Sequence, residues 1–365
     1  MKLAITGLSN SGKTTIFNAL TGQNIETTIY PTISGEPNIG VVKVPDPRID
    51  QLAKIYNPKK VTYAQIEYLD YIGLTKGDAE QNRKVFDFIK DADAIVHVVR
   101  AFEDSTVVHP LNRISPVEDI EILELELILG DMELIEKRIN RMAEDAKKGK
   151  KINKLEEELM FKCRNALEKG IPLREVKFTT DELNAMRHLQ FVSTKPEVVV
   201  INTGADNIDS DVTFKLVKQA EDYFGSKNLT SATRIVSLCG KIEMEIAQMS
   251  EDDARAFLDE YGIKESARNK LIHESYSLLG LISFFTVGQD EVRAWTITKG
   301  TNAQTAAGKI HSDMQKGFIR AEVIAYHDFI VHGEQARQKY KELIRLEGKT
   351  YEVKDGDIIN FRFNV

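Results

Sequence analysis

The sequence predicts an α/β fold with a mainly parallel sheet, an inserted antiparallel helical hairpin and a small α+β module at the C-terminal end. Three observations predict it. Short apolar runs alternate with segments of helical spacing through residue 201, the pattern of strands joined by crossover helices. Apolar positions stepping 3, 4, 3, 4, 3, 4 from Leu125 to Ala146 interrupt that alternation. From Leu281 onward short strand-like pieces take over. The expected division is an α/β domain over 1–280, interrupted by the hairpin at about 118–190, and a separate module over 281–365.

The elements follow in order. Residues 2–6 read as a short apolar strand, 7–12 as a loop, and 13–20 as a helix with Ile16, Phe17 and Leu20 on one side. Further strands are expected at 41–44 and 64–69. The near-continuous apolar runs at 94–99 and 198–201 fit strands buried on both faces. The seam through Leu125, Ile128, Met132, Ile135, Ile139, Met142 and Ala146 has the heptad step of a coiled coil. Lys147, Lys148, Gly149, Lys150 and Lys151 end it, and a second helical stretch runs through Leu155, Leu159 and Leu167. Four lysines at the tip of such a hairpin read as a solvated turn or as a contact for RNA phosphates. In the tail, strands are expected at 283–286, 292–297 and 358–363. One helix is expected over 306–315, and a hairpin-type turn at 354–357.

Composition narrows the class. The chain has 365 residues, 42% hydrophobic and 29% charged, with a net charge of −7. That is ordinary globular usage, and the negative balance confines any nucleic-acid contact to a local patch. Clean apolar runs are about four residues long against the roughly 20 a membrane helix needs. Cys163 and Cys239 are too few for a disulfide framework or a cysteine zinc site. The N-terminus lacks the apolar core of a signal peptide. A cytoplasmic protein with two free thiols and no membrane partner is expected.

Residues 7–14, Gly-Leu-Ser-Asn-Ser-Gly-Lys-Thr, fit G-x-x-x-x-G-K-[ST] after a strand and before a helix. This makes the α/β part a P-loop nucleoside-triphosphate domain. The glycines let backbone N–H groups turn inward around phosphate oxygens, and the following helix aims its positive end at the anion. Asn10, Ser11, Gly12, Lys13, Thr14 and Thr15 are the phosphate-binding candidates. Lys13 would neutralise β and γ charge, and the Thr14 hydroxyl would reach Mg²⁺. Asp70 and Gly73 fit D-x-x-G at the end of a strand. Asp70 is assigned to the metal and the Gly73 amide to the γ-phosphate. A hydroxyl from Thr32 or Ser34 would complete the metal set.

Base selection and hydrolysis are less conventional. Guanine-reading proteins carry N-K-x-D, but the chain after the fifth strand run reads Asn202, Thr203, Gly204, Ala205. Alanine cannot accept from guanine's N–H groups, and a hydrogen-bonding site that lacks a partner discriminates poorly. ATP is therefore favoured. Leu74 and Thr75 stand where Ras-like proteins place a water-orienting Gln, and Gln81 lies beyond that register. His109, in a polar loop after the 94–99 strand, is the candidate for positioning water.

These residues resemble the YchF/Obg-like ATPases over essentially the whole chain. The likeness is carried by 7–20 (GLSNSGKTTIFNAL), 35–50 (GEPNIGVVKVPDPRID), 97–104 (HVVRAFED), 284–330 and 346–365. It implies a G-domain with an inserted coiled coil and a β-grasp-like TGS domain, ATP in preference to GTP, slow hydrolysis, and association with ribosomes or RNA. It also implies that Asn10 helps hold a K⁺ beside the phosphates, that Leu74 replaces the catalytic Gln, that His109 is catalytic, and that Asn202 lies at the base with Thr203. Cys239, opening Cys-Gly-Lys-Ile-Glu at 239–243, would also lie near the base. The chain departs from the family pattern at Ala205 (Glu), Gly240 (Ala), Ser34 (Thr) and after Gly77, where a glycine-rich run is missing.

Three functions stay open from the residues. The first is a monomeric, slow, regulatory ATPase on the ribosome, acting in translation or stress. The second is a nucleotide-sensing module without turnover. The third is a GTPase in which Asp206 supplies the missing carboxylate.

Overall fold

The computed structural model describes residues 1–27, 36–151, 153–208, 210–260, 265–332 and 341–364. Ser34 and Thr32 lie outside the described residues. The chain forms two compact units, Met1–Val42 with Glu67–Leu271, and Lys43–Ile66 with Ile272–Val365.

The first unit is built on a sheet of six strands. β1 (Lys2–Thr6) leads into α1 (Lys13–Thr21) and β2 (Asn38–Lys43); after α2 (Pro47–Tyr56) and β3 (Lys60–Thr62), which belong to the second unit, the chain returns through β4 (Gln65–Asp70), α3 (Ala79–Ile89) and β5 (Ala94–Ala101). After the hairpin come β6 (Glu197–Thr203), α7 (Asp211–Ser226), β7 (Thr233–Leu238) and α8 (Gly240–Ala247). The strand order is β2-β4-β1-β5-β6-β7, and β1 pairs in parallel with both β4 and β5. β5–β6 and β6–β7 are parallel as well. Every residue of β6 is buried, as a strand covered on both faces requires.

α4 (Pro116–Lys147) and α5 (Lys154–Leu167) form the hairpin, followed by the short α6 (Thr180–Met186). Its core joins Ile128, Ile135 and Met142 to Leu159, Met160, Cys163 and Leu167, with Met132 and Ile139 alongside. The heptad seam therefore packs from Ile128 to Met142. It does not include Leu125, which is 50% exposed. The first third of α4 turns another face inward, packing Leu123 and Leu127 with α3 and Ile120 with β5 and β6. Leu155 and Ala146, at the far end, are exposed too. Asp131, buried in mid-α4, accepts from the Val192 and Ser193 N–H groups at 2.9 and 2.7 Å, fixing the segment that enters β6.

The second unit follows α9 (Glu251–Glu260) and contains most of α10 (Ala267–Leu278). It continues with β8 (Leu281–Val287), β9 (Glu291–Thr298), α11 (Ala303–Ile310), α12 (Ser312–Lys316), β10 (Phe318–Ala325), α13 (Tyr326–Ile330), β11 (Arg345–Glu347) and β12 (Asp357–Phe363). Its sheet order is β11-β10-β12-β8-β9-β3. Residues 43–66, which the sequence reading left inside the nucleotide-binding part, belong to this unit. β3 pairs in parallel with β9. Tyr56 of α2 stacks on Phe329 at 5.9 Å, and Arg48 pairs with Asp46 and Asp355 while lying 5.3 Å over the Phe285 ring.

Two expectations for this unit are corrected. Residues 306–315 are not one helix, because His311 is extended (φ −159, ψ 142) and its Nδ1 accepts from the Asp313 N–H to start α12. The turn at 354–357 exists, with Gly356 at φ 87 and the Asp357 N–H donated to the Lys354 carbonyl. It does not join hairpin partners, since β12 pairs with β10 and β8.

Candidate functional site

The site grows from the β1–α1 connection. Gly7 has φ 142, and a Cβ there would fall 2.3 Å from the Val98 carbonyl oxygen. Gly12 has φ 93, and a Cβ there would fall 2.2 Å from Asn202 Nδ2. Both positions therefore need glycine for conformation and for space. Asn10 between them is left-handed at φ 61, a region Asn tolerates. The Gly12 carbonyl accepts from Ile16 N–H at 2.9 Å, closing the first turn of α1.

Lys13 is buried and donates from Nζ to the Leu8 carbonyl at 2.9 Å. Burial lowers its pKa to about 8, against an opposing pull from Asp70. The Thr14 hydroxyl donates to Asp70 Oδ2 at 2.9 Å, and Asn38 Nδ2 reaches the same oxygen at 3.4 Å. Burial pushes the Asp70 carboxyl upward, with Lys13, Thr14 and Asn38 pulling the other way. Among the described residues Asp70 Oδ1 and Ser11 Oγ are buried without a partner. A Cβ on Gly73 would lie 2.7 Å from both Lys13 Nζ and the Ser9 nitrogen, so this position too accepts only glycine.

Asn202, at the end of β6, donates to the Ser11 carbonyl and accepts from the Gly240 N–H, each at 3.0 Å. It clamps the phosphate loop to the start of α8. Cys239 and Thr203 stand beside it. These parts enclose a cavity of about 850 Å³ whose walls include Asn10, Gly12, Lys13, Thr14, Thr15, Asp70, Gly73, Asn202, Thr203 and Cys239. Ser11 is not on the wall: it is buried, and its carbonyl accepts from Asn202. Ala205, Asp206, Lys241, Met244 and Phe102 complete the lining. Glu243 of the 239–243 element is turned away, its carboxylate accepting from the Ala267 and Arg268 N–H groups at the start of α10.

His109 lies outside the cavity lining. It is buried, its Nδ1 accepts from the Leu111 N–H at 3.1 Å, and its Nε2 is 3.0 Å from Asp119 Oδ2. An acceptor at Nδ1 leaves the proton on Nε2, facing the carboxylate. Arg113 holds the other Asp119 oxygen at 3.1 Å. Two residues tie this loop to the phosphate loop. Asn10 Nδ2 donates to the Val108 carbonyl at 3.0 Å, and the buried Arg100 donates to the carbonyls of Asn10, Phe102 and Asp104.

Leu74 is buried, and its N–H donates to the Gly7 carbonyl at 3.0 Å. Gln81, set aside by register, donates from Nε2 to the Gly73 carbonyl at 3.1 Å. The buried Asn82 holds both backbone groups of Thr75, and Glu126 of α4 accepts from Asn82 and from the Gly77 N–H, both at 2.8 Å. The segment after D-x-x-G is thus pinned to the hairpin's first helix. Glu126 had no sequence signal, and Asn38 and Arg100 lie in stretches that carry the family likeness without a role read for either. Each matters through a partner more than 30 positions away, apart from the short-range bonds of Arg100.

Comparison with known proteins agrees with this geometry. Residues 2–136 match a family described as 50S ribosome-binding GTPase, and residues 281–364 match the YchF-GTPase C-terminal family, described as a protein of unknown function. The ribosome-binding ATPase YchF of Bacillus subtilis (strain 168) is 42% identical over 99% of this chain and 98% of its own. The protein of the same name from Escherichia coli O157:H7 is 39% identical over 100% and 99%. The solved YchF GTPase of Schizosaccharomyces pombe superposes with a TM-score of 0.81 at 27% identity, covering 99% of this chain and 97% of that one. With a P-loop, a D-x-x-G carboxylate and full-length likeness at this level, the chain belongs to the YchF family.

Proposed function

We propose that this chain is a monomeric, cytoplasmic, ribosome-associated ATPase that binds and slowly hydrolyses ATP with Mg²⁺ in preference to GTP, serving as a regulatory switch. The observation that carries the ATP reading is Ala205 on the wall of the cavity, where a guanine-reading site needs a carboxylate. The names of the bacterial relatives support ribosome association. Among the described residues no helix is long and apolar enough to cross a membrane.

The residues divide the work. A bound triphosphate replaces the Leu8 carbonyl as the partner of Lys13 Nζ, and the anion offsets the burial that disfavours the ammonium. Thr14 and Asp70 fit Mg²⁺: a hydroxyl and a carboxylate with one buried, unpartnered oxygen are the hard oxygen donors this ion takes. Ser34 would join them. When bound, the ion neutralises charge on the β- and γ-oxygens. The Gly73 amide senses the γ-phosphate, and the chain from Gly73 through Gly77 to Glu126 passes that state to α4. Asn10 is the residue placed to help hold a K⁺. His109 orients the attacking water after its loop turns toward the cavity. The turn breaks its bonds to Asp119 and Leu111, and two net hydrogen bonds at roughly 1 kcal/mol each would slow turnover by about 30-fold. The TGS reading of 281–365 and the domain limits belong to the same proposal.

One observation favours a second reading: Asp206 lines the same cavity and would read guanine after a one-residue loop shift. Calorimetric titration of nucleotide-free protein with non-hydrolysable ATP and GTP analogues, in Mg²⁺ with K⁺ or Na⁺, separates the two. The expected result is at least tenfold tighter ATP binding and potassium-stimulated hydrolysis. Tighter GTP binding would overturn the base assignment.

A further inference from the structure

We infer that the free end of the helical hairpin is an RNA-docking surface that grips phosphates of ribosomal RNA. The inference rests on the ribosome reading above and adds the part of the chain and the chemistry that would make the contact.

Three observations carry it. The first is segregation of charge. Residues 147–154 contain five lysines (147, 148, 150, 151 and 154) and no acidic residue, in a chain of net charge −7. The cluster is local, since Glu144 and Asp145 precede it and Glu156, Glu157 and Glu158 follow it, so its pull on phosphates acts at contact range, within a Debye length. The second is exposure. The last buried residue of α4 is Met142 and the first of α5 is Leu159. All five lysines lie beyond these two and are exposed. α4 is 32 residues long, about 48 Å at the helical rise. The third is shape. Lys150, Lys151 and Lys154, along with Gly149 and Glu157, line a shallow, open depression between the two helix ends. Among the described residues only Lys150 of the five is paired, with Asp145 at 2.8 Å, and its side chain is still 66% exposed, so that pair is weak and readily exchanged. Nothing in the tip reads a base, and the expected contact is with backbone phosphates of folded RNA.

The test uses the full chain and salt-washed bacterial ribosomes, with binding measured from 50 to 300 mM KCl. One variant carries glutamine at all five lysine positions and a second carries arginine. If three phosphate contacts are lost, the glutamine variant binds about 100-fold more weakly at 100 mM salt, and the slope of log K against log salt becomes shallower by about 2. The arginine variant keeps wild-type affinity and slope. Wild-type protein also binds deproteinised ribosomal RNA, and ATP binding is unchanged in both variants. Unchanged ribosome affinity and salt slope in the glutamine variant would overturn this inference and leave the ribosome reading intact. Loss of ribosome binding with no wild-type affinity for deproteinised RNA would also overturn it, assigning the tip to an acidic protein surface. Failure of wild-type protein to bind ribosomes at all would overturn both readings.

Discussion

Replacing Lys13 by methionine is expected to stabilise the nucleotide-free protein while abolishing nucleotide binding. Lys13 is 8% exposed and its ammonium has one carbonyl partner, Leu8. The fall of its pKa from 10.5 to about 8 corresponds to about 3 kcal/mol lost by the charged folded state at neutral pH. Methionine fills similar space without charge and gives up one hydrogen bond, about 1 kcal/mol. The net gain is about 2 kcal/mol, or about 5 °C in Tm for a unit of this size. The sign with pH follows from linkage. The folded-state pKa is depressed, so between about pH 8 and 10.5 the unfolded state binds more protons and wild-type stability rises with pH. The advantage of Lys13→Met should be full below pH 8 and gone near pH 10. Calorimetric melting of both proteins without nucleotide at pH 7, 8.5 and 10 measures it, and added Mg²⁺ and ATP analogue should raise the Tm of wild type alone. A variant that melts lower than wild type at pH 7, or an advantage that does not shrink with pH, would refute the reasoning.

Four further outcomes are expected. His109→Ala should lower ATP turnover at least tenfold with ATP affinity within twofold. Asp119→Asn, which weakens the bond holding His109 away from the cavity, should raise turnover several-fold in single-turnover assays; a drop would mean that Asp119 supports catalysis. Ala205→Asp should tighten GTP analogue binding by tenfold or more, since it returns an acceptor to the base wall; titration showing no gain would place the base elsewhere. Burial raises the Asp131 carboxyl from 3.8 to about 6, so its contribution to stability, full below pH 4, is lost as pH rises through 6, by roughly 3 kcal/mol. The Tm difference between wild type and Asp131→Asn should therefore move against wild type from pH 4 to 6 and stay level above 6.5. A flat difference across that range would show that the two backbone N–H bonds hold the carboxyl near its ordinary value.

Much of the phosphate site was legible because it is local. Gly7, Gly12, Lys13 and Thr14 act through one strand–loop–helix connection, whose conformation is dictated by residue types within eight positions of each other. The strands at 94–99 and 198–201 were legible for a related reason: burial on both faces demands unbroken apolar runs. Asp70 and Gly73 could be placed because a strand end is itself a local signal. The break at His311 escaped because helical spacing continues through it, while the ring makes its own backbone cap.

Tertiary structure decided what depends on distant partners. No local pattern told that Asn202 would grip the Ser11 carbonyl and the Gly240 N–H, that Arg100 and Asn10 would tie down the loop of His109, or that Glu126 of the hairpin would pin Gly77. Nor could it assign 43–66 to the second unit, since the faces of α2 and β3 fit apolar partners on either side until Tyr56 meets Phe329 and Lys60 meets Glu291. The sequence alone determined the chemistry available at the phosphate loop, because backbone conformation and residue type suffice for it. Which side chains converge, and which way His109 faces, was decided by packing, where hydrogen bonds between distant residues select one arrangement among many with the same local preferences.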